Sequence, residues 1–276
     1  PMTWRTYAAA LIVSNLLMAG LVCAGLCTMS ILPLNPDRIP DMKPTLAFHT
    51  AIAFITNTNQ QHYSGETAVS YFGQTILLMF LQFTSAATGL AAFAAICRAL
   101  RNRESSDVGN FYGDLVRAIT RVLLPLSLVI ALLLLSQGVP MTWAGKVAFA
   151  GLDGHEGAIS RGPVAAFMAI KHLGTNGGGY FGTNAAHPFE NPTYLANMVL
   201  VVSHMLLPLA CVWAFGHITG RRRVAAAIFS AMLVIYGIGT SAAIQQEWLG
   251  NRTLAELGLH QPSGNLEGKE VRFGSV

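Results

Sequence analysis

The chain has 276 residues, of which 53% are hydrophobic and only 11% charged, against about 25% charged in an ordinary soluble domain. That balance argues against a water-soluble globule and for a chain that lives in a bilayer. Lys and Arg outnumber Asp and Glu by 17 to 13, but the basic residues lie in short clusters beside apolar runs. That placement reads as a topology signal and argues against nucleic-acid binding.

Apolar runs near 7 to 30, 69 to 97, 115 to 137, 194 to 219 and 224 to 246 each supply the roughly 20 residues that a helix needs to cross a bilayer. Five spanning helices are expected, in an all-α, multi-pass integral membrane protein. Arg98, Arg101, Arg103, Arg117 and Arg121 flank the second and third, and Arg221, Arg222 and Arg223 lie between the fourth and fifth. By the positive-inside rule both connections are cytoplasmic. Residues 31 to 66, 138 to 190 and from 247 onward are then outside. Trp4, Trp143 and Trp248 near the span ends read as interfacial anchors. Pro125 and Pro208 are expected to kink the third and fourth helices.

Two outer segments are not ordinary loops. "LAFHTAIAFITNTNQQHYSGE" (46 to 66) and "VAAFMAIKHLGTNGGGYFG" (164 to 182) each carry a short apolar stretch into a polar or glycine-rich turn. Each stretch is too short to span and has a full span on either side. Thr58-Asn59 and Thr175-Asn176 read as the shared core of two helix, re-entrant half-helix, helix units. Non-helical backbone at membrane depth is tolerated only where it is buried in protein or lines an aqueous path. After the second turn, Asn191-Pro192 is expected to start the fourth helix as N-cap and first helical residue, with Glu190 near its positive end.

Such a turn suits a dehydrated potassium ion, which needs a ring of oxygens in place of its water. Gly177, Gly178 and Gly179 accept the backbone angles that aim successive carbonyls at one axis. Thr58, Asn59, Gln60, Thr175 and Asn176 add side-chain oxygens or hold the turn from behind. The half-helices would direct their partly negative C-terminal ends at the ion. Two turns cannot close a ring alone, so further repeats must come from elsewhere.

Competing chemistry is weaker. Gly177, Gly179 and Gly182 satisfy G-x-G-x-x-G, but no βαβ unit surrounds them, and no Gly-Lys-Ser or Gly-Lys-Thr exists for a phosphate loop. Helix packing by the glycines leaves the neighbouring Thr and Asn unexplained. Cys23, Cys27, Cys97 and Cys211 lie in apolar helices without the partners of a metal site. His62 and His187 read as hydrogen-bonding scaffold more readily than as pH sensors or metal ligands. Lys171 either favours the helix dipole or repels ions near the mouth, and Glu66 and Glu190 either attract cations or favour helix N-termini. An intramembrane enzyme using His187 with Glu190, or His62 with Glu66, lacks any H-E-x-x-H spacing. Asn251-Arg252-Thr253 fits a glycosylation sequon. A start at Pro1 and an end at "EGKEVRFGSV" read as a piece of a longer chain, without a cleavable signal peptide.

"TNTNQQHYSGE", "GPVAAFMAIKHLGTNGGGYFGTNAAHPFENPT", "LPLNPDRIP" and "NLEGKEVRFG" closely resemble the potassium-binding A subunit family of the Kdp ATP-driven potassium pump. The resemblance covers essentially the whole chain and implies a fold of helix, pore-loop, helix repeats of the potassium-channel-like Trk/Ktr/Kdp superfamily. On that pattern residues 1–110 form the first repeat, 111–220 the second, and 221–276 the first helix of a third with the start of its pore segment. The implied selectivity filter is Asn57, Thr58, Asn59 and Gln61 in the first loop and Thr175, Asn176, Gly177 and Gly178 in the second, with K+ at those residues. Tyr180 stands where the family usually has Phe. The resemblance also implies a bacterial inner-membrane complex with a P-type ATPase catalytic subunit (B) and small accessory subunits (C and F), this chain having no Asp-Lys-Thr-Gly phosphorylation motif and no organic cofactor. A stand-alone potassium channel or ion-driven transporter of the same superfamily is the alternative.

Overall fold

A computed structural model describes residues 1–101, 106–151, 154, 156–182, 185–249 and 256. Arg103, the Asn251-Arg252-Thr253 sequon and the expected entry of "GKEVRFGSV" into a third pore helix lie outside the described residues. In chain order the helices are α1 (Trp4–Leu26), α2 (Pro44–Ile55), the single turn α3 (Gly65–Ala68), α4 (Met79–Arg101), α5 (Phe111–Ala118), α6 (Leu124–Ser136), α7 (Val164–Leu173), α8 (Tyr194–Ile218) and α9 (Arg222–Leu249). A π-helical turn, Gly73–Leu78, leads into α4, and another, Ile119–Leu123, joins α5 to α6. A small antiparallel hairpin, β1 (Val147–Ala150) with β2 (Glu156–Ile159), pairs Val147 with Ile159.

Five helical stretches are long and apolar enough to cross a membrane: Trp4–Leu26, Gly73–Arg101, Phe111–Ser136, Tyr194–Ile218 and Arg222–Gln246. Their number agrees with the sequence, and their ends differ for local reasons. The first stops at Leu26, four residues early, because the Leu26 carbonyl accepts from Met42 N at 3.0 Å and the chain turns through Met29–Ile31. Asn35 then closes the "LPLNPDRIP" turn by donating to the Ile39 carbonyl and accepting from Ile39 N, both at 2.8 Å. Pro125 sits in the first turn of α6, directly after the π-helical turn, where a widened turn accommodates its missing N–H.

The residues divide into two compact units, Pro1–Pro208 and Leu209–Val276. In the first unit α1, α2, α4, α6 and α7 share one core around Leu26, Phe54, Leu81, Leu134 and Phe167. Its outward faces are equally apolar: α1 exposes Leu16, Leu17 and Leu21, and α6 exposes Leu128 and Leu132. That pattern suits lipid, where exposed apolar side chains cost nothing. One end of the unit is clasped by polar groups. Arg98 pairs with Asp114 and donates to the Val108 carbonyl at 2.6 Å, while Tyr7 Oη donates to Asp114 Oδ2 at 3.0 Å and to the Ala91 carbonyl at 2.8 Å. In the second unit Gly216 lies against Ala225 and Trp213 packs on Phe229 at 5.4 Å.

Candidate ion-binding site

The two half-helices end in the same way. At the end of α2, Asn57 N donates to the Phe54 carbonyl, and Thr58 N and Asn59 N share the Ala53 carbonyl at 2.9 and 2.8 Å. At the end of α7, Thr175 N donates to the His172 carbonyl, and Asn176 N and Gly177 N share the Lys171 carbonyl at 3.0 and 3.3 Å. This pattern equates Asn57-Thr58-Asn59 with Thr175-Asn176-Gly177. The Thr-Asn letters suggested a match of Thr58-Asn59 with Thr175-Asn176, which is one residue out of register.

The dihedrals follow the corrected register. Asn57 and Thr175 have φ of +61° and +57°, and Asn59 and Gly177 have +48° and +71°, whereas Thr58 and Asn176 between them stay outside the left-handed region. Alternating hand turns successive carbonyls toward the same side. Among the described residues, the carbonyls of Asn57, Thr58, Asn59, Thr175, Asn176, Gly177 and Gly178 accept no hydrogen bond. The carbonyls on either side of the second row are taken: Gly174 accepts from Asn57 Nδ2 at 3.2 Å, and Gly179 from Gln61 Nε2 at 3.1 Å and Lys171 Nζ at 3.0 Å.

The side chains of the predicted site are what lock the loops together. Asn57 Nδ2 donates to Thr175 Oγ1 at 3.2 Å, Asn59 Nδ2 to Asn176 Oδ1 at 2.6 Å, and Gly179 N returns a bond to Gln61 Oε1 at 3.2 Å. Ser85 on α4 reaches both, donating to Asn57 Oδ1 at 3.1 Å and Asn176 Oδ1 at 3.3 Å. Thr58 differs: its hydroxyl pairs locally with Thr56 Oγ1 at 2.9 Å. All eight predicted residues thus lie in two interlocked turns. Ser85 was missed because a lone serine in an apolar run carries no pattern.

Farther along, Gly65 N donates to the Phe181 carbonyl at 2.7 Å, and Gln74 Nε2 to the Tyr180 carbonyl at 3.1 Å. A side chain at Gly65 would run into the Tyr180 carbonyl, and one at Gly179 into the Glu190 carboxylate.

The charged residues are placed more decisively than the sequence allowed. Lys171 is fully buried, its ammonium 4.9 Å from the Phe54 ring and 5.0 Å from the Phe167 ring. It turns inward to the second loop. Glu190, also fully buried, accepts from Phe181 N at 2.6 Å and His187 N at 3.4 Å. Burial pushes its carboxyl up to about 7, while the Phe181 amide, the Lys171 charge and the His187 amide pull the other way. The expected start of the fourth helix is corrected here. Thr193 Oγ1, not Asn191, accepts from Ala196 N at 3.1 Å, and α8 begins at Tyr194. Asn191 is buried and donates to Asn197 Oδ1 at 2.9 Å. His187 stacks on Phe181 at 4.1 Å and its Nδ1 accepts from Phe189 N at 3.1 Å, and His62 packs edge-on against His49 at 4.5 Å. Glu66 lies in the first turn of α3. No cluster of three or more potential His, Cys, Asp or Glu metal ligands occurs among the described residues.

Five helices long and apolar enough to span a membrane, with two short apolar helices that end in bare carbonyls, define the class: a multi-pass α-helical membrane protein. The family model described as "Potassium-transporting ATPase A subunit" matches residues 1–276, and the chain belongs to that family. It is 46% identical over 273 residues to the potassium-transporting ATPase potassium-binding subunit of Flavobacterium johnsoniae, covering 99% of this chain and 48% of the relative. The corresponding subunit of Phocaeicola vulgatus is 45% identical, covering 100% and 48%, and that of Alicyclobacillus acidocaldarius 48% identical, covering 99% and 48%. The chain spans about half the length of the curated relatives it matches. It is a multi-pass protein of the bacterial inner membrane.

Proposed function

We propose that the interlocked loops form part of the selectivity filter of an ATP-driven potassium importer, with Asn57, Thr58, Asn59, Gln61, Thr175, Asn176, Gly177 and Gly178 as the residues that build it. Residues 1–110 and 111–220 are then two helix, pore-loop, helix repeats, and 221–276 opens a third. K+ enters from the outer side, exchanges its hydration shell for the carbonyls of Asn57 to Asn59 and Thr175 to Gly178, and passes inward. Asn59, Asn176 and Gln61 hold those carbonyls in place. ATP hydrolysis belongs to a P-type catalytic subunit (B), with small accessory subunits (C and F) completing the complex, and this chain contributes binding and translocation.

The observation that carries this reading is the two rows of unbonded carbonyls, each following a half-helix C-terminus whose dipole favours a cation. The relatives' names, which speak of potassium binding and a potassium-transporting ATPase, support it independently. The test is ATP hydrolysis by the complete complex across a K+ titration, with Na+ as control, for the parent and Gly178→Asp. Stimulation by K+ alone in the parent, and weakened affinity or lost discrimination in the variant, are expected. Identical curves would move the glycines to a packing role, and hydrolysis indifferent to K+ would overturn the pump reading.

A further inference from the structure

The outer end of the second loop is held between two buried charges that do not touch. Lys171 Nζ donates to the Gly179 carbonyl at 3.0 Å, and its Cε and Nζ lie 3.1 and 3.3 Å from where a Gly178 β-carbon would stand. From another direction the Glu190 carboxylate accepts from Phe181 N, with its Cδ 2.6 Å from where a Gly179 β-carbon would be. Both residues are fully buried, and the ion pair among the described residues is Arg98 with Asp114, not these two.

A buried charge without a touching counter-charge must be solvated by dipoles. The dipoles here are the adjoining peptide groups of residues 179 to 181, one offering its carbonyl to the ammonium and the next its N–H to the carboxylate. The backbone thus bridges the pair. The ammonium shares the Gly179 oxygen with Gln61 Nε2, and the row of bare carbonyls stops there, at the unbonded oxygen of Gly178.

The geometry points to Lys171 and Glu190 as a backbone-bridged charge pair that positions the second loop and sets its preference for K+ over Na+. This rests on the filter reading above. Held apart by the pair, the carbonyls cannot close on a smaller ion. With one charge removed, the other is left uncompensated and the segment is free to reorganise around it. With both removed, the site is neutral and the glycine backbone can keep its course through Gln61, which bonds both the N–H and the carbonyl of Gly179.

The experiment uses the complete complex carrying Lys171→Met, Glu190→Gln or both. K+ and Na+ titrations of ATP hydrolysis are read together with the thermal midpoint of each assembled complex. Each single substitution should raise the half-activating K+ concentration about tenfold or more and admit stimulation by Na+, while the double variant returns to within about threefold of the parent. Midpoints should rank the same way, with both singles below the double. Singles that fail to assemble while the double assembles also support the pair. Singles indistinguishable from the parent, or a double no better than the worse single in affinity or assembly, overturn it. A parent whose hydrolysis ignores K+ is a failure of the filter reading instead, and the midpoint ranking still decides the pair.

Discussion

Asn57 and Thr175 adopt the same left-handed backbone and bond to each other, Asn57 Nδ2 to Thr175 Oγ1 at 3.2 Å. Asn tolerates this conformation because its short side chain can bond locally, whereas Ala resists it. Asn57→Gly should therefore lose only the hydrogen bonds, about 1 kcal/mol each. Asn57→Ala should add about 1–2 kcal/mol of backbone strain. Thermal unfolding of the purified complex should rank Asn above Gly above Ala. Equal loss in the two variants would show that strain is not part of the cost.

Gly177 and Gly178 share a positive φ, yet their surroundings differ. A β-carbon at Gly177 meets nothing within 4 Å, while one at Gly178 would stand 2.6 Å from Gln61 Oε1. Gly177→Ala should cost about 1–2 kcal/mol of strain alone and leave K+ affinity within about threefold of the parent. Gly178→Ala displaces Gln61, and the half-activating K+ concentration should rise about tenfold or more. Equal effects on affinity would mean that Gln61 does not hold the loop.

Much of this was legible in the sequence, and the exceptions share a cause. Hydropathy marks spans and half-helices because burial in lipid acts on every residue of a run. Letters do not report dihedral angles, so Thr58-Asn59 and Thr175-Asn176 aligned by identity although the backbone repeats one residue out of step. Phe167 lies one helical turn before Lys171, but the inward turn of Lys171 also depends on the distant ring of Phe54 and on a carbonyl eight residues on, which no spacing rule connects. The β1–β2 hairpin has only a brief local signal, short apolar or small-residue runs around Gly151 and Gly154, which does not stand out within a long polar outer segment.

The clasp of Arg98, Asp114 and Tyr7 joins α1, α4 and α5. Arg98→Gln leaves Asp114 largely buried without its counter-charge and should destabilise by about 2 kcal/mol, less than a fully buried pair because Arg98 is partly exposed. Tyr7→Phe should cost about 1 kcal/mol. K+ affinity should be unchanged in both, since the clasp has no bond to either loop. A shift in the K+ titration curve would contradict that separation.

Topology is checked by cysteine labelling. In a background lacking Cys23, Cys27, Cys97 and Cys211, Gly154→Cys should react with an impermeant maleimide in intact cells. Gly220→Cys, beside Arg221 to Arg223, should react only after the membrane is opened. The reverse pattern would invert the orientation and place the loops toward the cytoplasm.

Gln61 and Gly179 are 118 residues apart, as are Asn57 and Thr175, so by the corrected register each is bonded to its own counterpart beyond the other half-helix. In a ring of identical copies, both places would carry the same amino acid. Two glutamines would collide, and two glycines would leave the backbone unsupported. Carrying both loops on one polypeptide lets one position keep a long amide and its counterpart keep none, as it lets Lys171 stand where its counterpart is Ala53. Two unlike loops on one polypeptide thus permit a lopsided pairing, with reach supplied by one and room by the other, that no symmetric assembly of identical loops could provide.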